Sequence, residues 1–304
     1  MTVYKYVVPE RLDVLRNARI RFTQPAALND PFELRPYFES VVDETELLDH
    51  IARNPVDLTP HLLEAYESAP PETRAALTPE QWLEFARTAL ASEEGREVYQ
   101  QTLGAALGTI QGLTGTMREQ VYAGFGERVG ILSLSEAPDV ALMWSHYADS
   151  HRGFVIGFDE GHPFFDGRRG PEDDFFHLRP VTYRPPVAYA SITDIDGEAF
   201  FLSKAPEWSY ERERRVVVPV DPAAPTFVTP EGDAIHLREF PPEAVECIVV
   251  GARGAPVLHD ALAELVATDG RYRHVRLLRA VLDARRGGVR IEPDEAPGGS
   301  VESG

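Results

Sequence analysis

Ser203-Lys204-Ala205-Pro206-Glu207-Trp208-Ser209-Tyr210-Glu211-Arg212-Glu213-Arg214-Arg215-Val216-Val217-Val218-Pro219 is the stretch whose reading decides this chain. It opens on a lysine, passes a Pro-Glu-Trp turn and closes on three valines. Valine runs favour strands, so residues 210–218 are predicted as one. Alternate side chains of a strand share a face. Glu211, Glu213 and Arg215 are then expected on one side, with Tyr210, Arg212, Arg214 and Val216 on the other. Two carboxylates and a guanidinium would stand in a row at about 7 Å intervals. Like charges so spaced raise one another's pKa, and a nearby cation lowers them. Such a row suits a carboxylate that holds a sugar hydroxyl or steadies a developing cation. A solvated strand face of mixed charge is the plain alternative, because such alternation is common on exposed elements.

Composition bounds the reading. The 304 residues suffice for one large domain or two ordinary ones. A net charge of −19 weighs against general attraction to nucleic-acid phosphate. Arginines at 212, 214 and 215, and at 271, 273, 276 and 279, leave room for a local basic groove. The single cysteine, Cys247, cannot form an internal disulfide, so a reducing cytoplasm is expected. It sits in an apolar run, where a thiol is buried and inert. No zinc-ligand spacing is present, and no metal is expected. No apolar run approaches the roughly 20 residues of a membrane span, and no signal pattern is seen.

Periodicity organises the rest. Residues 2–8 and 20–23 read as strands around a short helix. Gln24 to Glu33 reads as a loop whose Asn29-Asp30-Pro31 core is a turn, or a ligand loop. Residues 41–127 read as a helical insertion without a chemical motif, and Thr78-Pro79-Glu80-Gln81 as a helix start with a capping box. Gly130 to Ser135 is predicted as a buried strand, 141–148 as a helix and 154–158 as another buried strand. His146 and His151, with Trp144 and Tyr147 beside them, fall between those two strands and could line a pocket. Further strands are expected at 246–251, 274–280 and 288–291, with a helix at 257–267. Residues 293–304 read as a disordered acidic tail. The fold class expected is α+β, one domain over 1–292 with a β core built from both ends.

An ordered set of motifs then carries a resemblance. It comprises Tyr4-Lys5-Tyr6; Phe22-Thr23 with Asn29-Asp30-Pro31-Phe32-Glu33; Leu132 to Ser135; Met143 to Ala148; His151-Arg152-Gly153 with Gly157-Phe158; Lys204 with Trp208-Ser209-Tyr210-Glu211, Glu213 and Arg215; and Ile248 to Gly251. The set resembles a bacterial family known as domain of unknown function 2971, over about residues 3–291 apart from the insertion. Thr23 stands where serine is expected.

The order of a late E-x-E strand, a middle hydroxyl-bearing strand and an early basic or aromatic strand is also similar to that of ADP-ribosyltransferases. That second resemblance implies an antiparallel β core of two small sheets, with NAD as substrate in the cleft between them. It implies Glu213 as the catalytic glutamate and Glu211 as its acceptor-side partner; on chemical grounds His146 or His151 could bind phosphate or a ribose hydroxyl or act as a base on the acceptor, and His146 is taken as the catalytic one. Tyr4, Lys5, Asn29, Asp30, Ser133, Ser135, Trp144, Tyr147, His151 and Arg215 are the implied ligand contacts. Lys5 and Arg21 are the two candidates for the early basic position. A macromolecular acceptor, protein or nucleic acid, would follow, and by analogy a role in bacterial phage defence or toxin systems. A non-enzymatic nucleotide- or partner-binding module and a metal-dependent phosphodiesterase are the rival classes. No Gly-rich phosphate loop is present, which argues against a dehydrogenase or kinase.

Overall fold

Short, largely buried apolar runs build the main sheet of the protein, whose computed structural model describes residues 1–35, 37–54, 57–285 and 287–294. The chain begins with β1 (Thr2–Val7), α1 (Asp13–Arg16) and β2 (Arg19–Phe22). There follow β3 (Tyr37–Ser40) and the helices α2 (Glu44–Arg53), α3 (Thr59–Glu67), α4 (Pro71–Ala76), α5 (Pro79–Ala91), α6 (Glu93–Gly112) and α7 (Thr114–Arg128). Next come β4 (Val129–Ser135), α8 (Ala141–Tyr147), β5 (Phe154–Asp159), β6 (Leu178–Pro180), β7 (Thr182–Tyr183) and β8 (Ala188–Ser191). They lead to α9 (Gly197–Phe201), β9 (Ser203–Lys204), β10 (Glu213–Pro219), β11 (Phe227–Val228) and β12 (Ala234–Glu239). The last elements are β13 (Val245–Val250), α10 (Pro256–Thr268), β14 (Arg276–Asp283) and β15 (Gly288–Pro293). The predicted tail lies outside the described residues from 295 onward, and Pro293 closes β15.

The chain divides into two compact units. One comprises residues 36–121 and 187–195, the other the remainder. In the first, β3 and β8 pair in parallel. Its best-specified helix is α5, where Thr78 accepts from Gln81 N–H and the Gln81 side chain accepts from Thr78 N–H. Two N-terminal donors are satisfied by that exchange, as the sequence predicts.

The other unit holds one eight-stranded sheet in the order β15-β14-β13-β5-β1-β4-β10-β6. It is antiparallel except for β13 and β14, which run parallel through the crossover helix α10. The α+β class is as expected, but the core is one large mixed sheet where two small antiparallel sheets were expected. The reason is β1, which pairs with β5 over six positions and with β4 through Tyr4 opposite Ser135. That one registered pair joins two otherwise separate sets of strands. Past it β4 turns to the end of β2, where Thr23 and Ile131 exchange backbone hydrogen bonds.

The two faces of this sheet differ. Val3, Val7, Leu132, Leu134, Phe154, Ile156, Val216 and Val218 pack into the main core with Leu258, Leu262 and Tyr272. On β4 and β10 the alternate positions are Ser133, Ser135, Glu213 and Arg215. A smaller cluster of Tyr6, Met143, Trp144, Val155 and Val249 packs elsewhere in the unit.

The predicted strand at 210–218 begins three residues late. Pro206–Glu211 is a 3-10 turn, and Arg212 adopts a left-handed conformation with φ 44° before β10 starts. Proline at the first position suits a helical turn, so local geometry overrides strand propensity there. Glu211 therefore leaves the alternating row.

Candidate functional site

Strand period places the first pair. Glu213 and Arg215 lie two apart on β10, opposite Ser135 and Ser133 of β4. Arg215 is wholly buried, so its donors must be used internally. Its Nε donates to Glu213 Oε1 at 2.8 Å, its Nη2 to Glu213 Oε2 at 2.9 Å, and its Nη1 to the Phe201 carbonyl at 2.9 Å. Nη2 also donates to Glu33 Oε1.

The 3-10 turn then swings Glu211 back toward β9. Ser135 Oγ fixes that turn by donating to the Glu211 carbonyl at 2.6 Å. Lys204 lies at the centre of the acids. Its Nζ is 2.6 Å from Glu211 Oε2, 3.2 Å from Glu213 Oε2 and 3.4 Å from Glu33 Oε2. The same ammonium lies 5.0 Å from the centroid of the Trp208 ring, a cation–π distance.

Glu33 is aimed by the Asn-Asp-Pro turn. Asp30 Oδ1 accepts from Phe32 N–H at 2.9 Å, and Glu33 N–H donates to the Asp30 carbonyl at 3.2 Å. Three buried carboxylates thus surround two buried cations. Such a cluster holds only when its geometry and hydrogen bonding offset the cost of desolvation. Here each oxygen of the three carboxylates has a partner, the last being Glu211 Oε1, which accepts from the Tyr147 hydroxyl at 2.6 Å.

Electrostatics follow from burial and these partners. Burial pushes the Glu213 carboxyl up; Lys204 opposes this and Glu211 adds to it. Burial also opposes charge on Lys204, but Glu213 and Glu211 outweigh it and hold the ammonium above its ordinary range. The Tyr147 phenol is raised by burial and by Glu211. Tyr183, which accepts the Glu213 backbone N–H at 2.7 Å, is pushed up to about 12, mainly by burial. Burial pulls Lys5 down to about 8, against the attraction of Glu213.

A cavity of about 200 Å³ opens beside the cluster, where β1 and β4 part. Of the residues the sequence singles out, Tyr4, Lys5, Asn29, Ser133, Ser135, Tyr147, Glu211 and Glu213 line it. Lys5 donates to the Ser133 carbonyl at 2.9 Å, satisfying an acceptor beside the parted strands.

Five expected contacts fall outside the lining. Arg215 is sealed behind Glu213, and Asp30 is spent on its own turn. Trp144 is fully buried and donates to the Pro138 carbonyl at 2.7 Å. Its ring stacks on His151 at 6.3 Å. His151 sits on a turn of three left-handed residues, Asp149, Ser150 and His151, with its Nε2 at 3.3 Å from Ser145 Oγ. Gly153 follows because a Cβ there would meet the Val7 carbonyl oxygen at 2.1 Å. His146 is exposed and packs on Tyr147 and Tyr210.

Two lining residues carry charge that the expected site did not include, Glu33 and Lys204, and both candidates for the early basic position, Lys5 and Arg21, line it as well. Glu33 and Lys204 stood inside quoted motifs, at the end of the Asn-Asp-Pro turn and at the head of the E-x-E stretch. Among the described residues no helix is long and apolar enough to cross a membrane.

Fold and site together define an α+β protein with a buried carboxylate–cation cluster at the base of a polar cavity. A family model described as Protein of unknown function (DUF2971) matches residues 143–216, from α8 to β10. That span holds Tyr147, Lys204, Glu211, Glu213 and Arg215. No curated protein and no solved structure matches the chain.

Proposed function

We propose that the cavity is the NAD site of an ADP-ribosyltransferase-like enzyme that modifies a macromolecular acceptor. The observation that carries this reading is convergence. Glu211, Glu213 and Tyr147 face one hollow, at the place where the sheet is joined by one registered pair. A cleft between two sets of strands is what the resemblance implied, and the near-split between β1 and β4 supplies its equivalent within one sheet.

The chemistry asks for an anion near the anomeric carbon and a rigid clamp on the sugar, because nicotinamide departs neutral. A carboxylate offers roughly four acceptor sites. Glu213 receives hydrogen bonds from Arg215 Nε, Arg215 Nη2 and Lys204 Nζ, and the Ser133 side chain also bonds it, so a ribose hydroxyl would take the acceptor site that Ser133 now shares. The cations also fix its position, so no reorganisation is needed as charge develops. Glu211, bound by Tyr147 and Lys204, has more free acceptor capacity and takes the acceptor-side role.

Incubation with NAD labelled in the nicotinamide ring, with and without cell extract, tests the proposal. Nicotinamide release that falls at least a hundredfold in Glu213→Gln and in Glu211→Gln is expected, about the loss of one transition-state contact. Both variants are first checked for folding by circular dichroism. Absence of release from the wild-type chain, or release unchanged in both folded variants, would sink the proposal.

One observation favours a second reading, a nucleotide-binding module without turnover. Arg215 engages both oxygens of Glu213, which neutralises the carboxylate the chemistry would use. Thermal stabilisation by NAD without its consumption would select that reading.

A further inference from the structure

Two cations of the cavity lining take no part in the ion pairs of the buried cluster. Lys5 comes from β1 and Arg21 from β2, and both line the hollow. Arg21 is turned away from the core by the strand period, since Ile20 and Phe22 on either side are buried. Lys204 and Arg215 are saturated with carboxylates. Neither Lys5 nor Arg21 has a carboxylate within ion-pairing distance among the described residues. Lys5 has the Ser133 carbonyl as its hydrogen-bond acceptor. Arg21 Nε is buried with no hydrogen-bond partner. In a chain with 49 acidic and 30 basic residues, a cation has no shortage of available acids. Two like charges facing one hollow, one with an orphaned donor, form a site that lacks its anion.

We propose that Lys5 and Arg21, with Thr23 two residues beyond Arg21 in the same lining, form a phosphate subsite of this cavity. A tetrahedral dianion suits the pair better than a carboxylate does. It can present separate oxygens to a guanidinium on one strand and an ammonium on another, and its two charges match two cations. Arg21 adds to the fall in the Lys5 pKa, and an anion between them removes that repulsion. The lining carries Lys5 and Arg21 together with Glu33, Glu211 and Glu213, so a ligand that bears a phosphate beside a neutral or cationic group fits it. The subsite goes beyond the NAD reading, because it requires a phosphate and not any particular bond to be cleaved beside it.

Titration calorimetry on the full chain tests this with sodium pyrophosphate, against sodium acetate and sodium chloride at matched ionic strength. The expected result is saturable pyrophosphate binding, absent with acetate and chloride. It should weaken about tenfold or more in Arg21→Gln and in Lys5→Gln, the loss of one charge-assisted hydrogen bond. Arg21 is partly exposed, so Arg21→Gln folds even if Lys5→Gln does not. Lys5→Arg keeps the charge and should keep binding. Wild-type heats with pyrophosphate equal to those with chloride, or undiminished affinity in folded Arg21→Gln, overturn the proposal. ADP that binds more tightly than pyrophosphate assigns the phosphate to a nucleotide, and equal binding assigns it to the free anion. Pyrophosphate binding without nicotinamide release leaves the subsite standing and removes the enzyme reading.

Discussion

The Tyr147 hydroxyl donates to Glu211 Oε1 at 2.6 Å, across 64 positions of sequence. Through it the short helix α8 is tied to the 3-10 turn that precedes β10. The aromatic segment and the acidic segment therefore meet by a direct bond at the edge of the cavity. The contact is charge-assisted, a kind roughly twice as strong as a neutral one.

Tyr147→Phe keeps the ring and removes that bond. A hydrogen bond to a charged group contributes about 1.5–3 kcal/mol, so urea unfolding should show a loss in that range, with an unchanged slope. Glu211 would keep Lys204 as its partner. If Glu211 serves the acceptor side, modification of the acceptor should fall more than nicotinamide release to water. A stability change below about 0.5 kcal/mol, the ordinary scatter of surface substitutions, would show that the bond ties nothing.

Some of this was open to reading in the sequence, and the reason is local. The valines of β10 declared a strand, and Thr78 to Gln81 declared a capped helix, because both signals act over a few residues. The meeting of Glu33, Lys204 and Arg215 was not legible, since it depends on which strands come together. Lys204 and Glu33 looked like parts of motifs, and their charge balance appears only once β9 and the Asn-Asp-Pro turn are brought to β10. The E-x-E row failed at Arg212, whose left-handed backbone no propensity announces in a non-glycine residue. Trp144 and His151 read as pocket groups because aromatics and imidazoles often are. In the fold their rings stack on one another, Trp144 donates to the Pro138 carbonyl and His151 Nε2 meets Ser145 Oγ, so both are used in packing the turn.

The buried cluster makes a second, sharper prediction. Glu213→Gln leaves Arg215 facing an amide, with Glu33 as its remaining carboxylate. Removing one partner from a buried ion pair costs about 3–5 kcal/mol, because the other charge stays buried. Lys204→Met should cost a similar amount by exposing three carboxylates to one another. Combined, the two changes should cost less than their sum, by about 0.5–3 kcal/mol, since the residues share a network. Chemical denaturation of the two single variants and the double variant measures this coupling. Strict additivity would mean that Lys204 and Glu213 do not act as a unit.

Lys5 gives stability a pH dependence whose sign can be worked out. Burial lowers its folded-state pKa to about 8 from the ordinary 10.5, with Glu213 and Glu211 opposing and Arg21 assisting. Between these two values the unfolded chain binds more protons than the folded chain at this site. Stability from this group therefore rises with pH from about 8 to 10.5, and below 8 the charged amine is a full burden. A tenfold change in proton affinity is worth about 1.4 kcal/mol, which makes the whole contribution on the order of 3 kcal/mol. Lys5→Met should then stabilise the chain at pH 7 and flatten the rise between pH 8 and 10, as read by denaturant midpoints at fixed ionic strength. The same lysine should react with an amine-selective acylating reagent half-maximally near pH 8, well before Lys204, the chain's one other lysine, which Glu213 and Glu211 hold protonated. Saturating pyrophosphate should move that midpoint upward, because an anion favours the protonated amine. A Lys5 titration near the ordinary lysine range, unaffected by pyrophosphate, would remove both the stability effect and the electrostatic basis of the anion site.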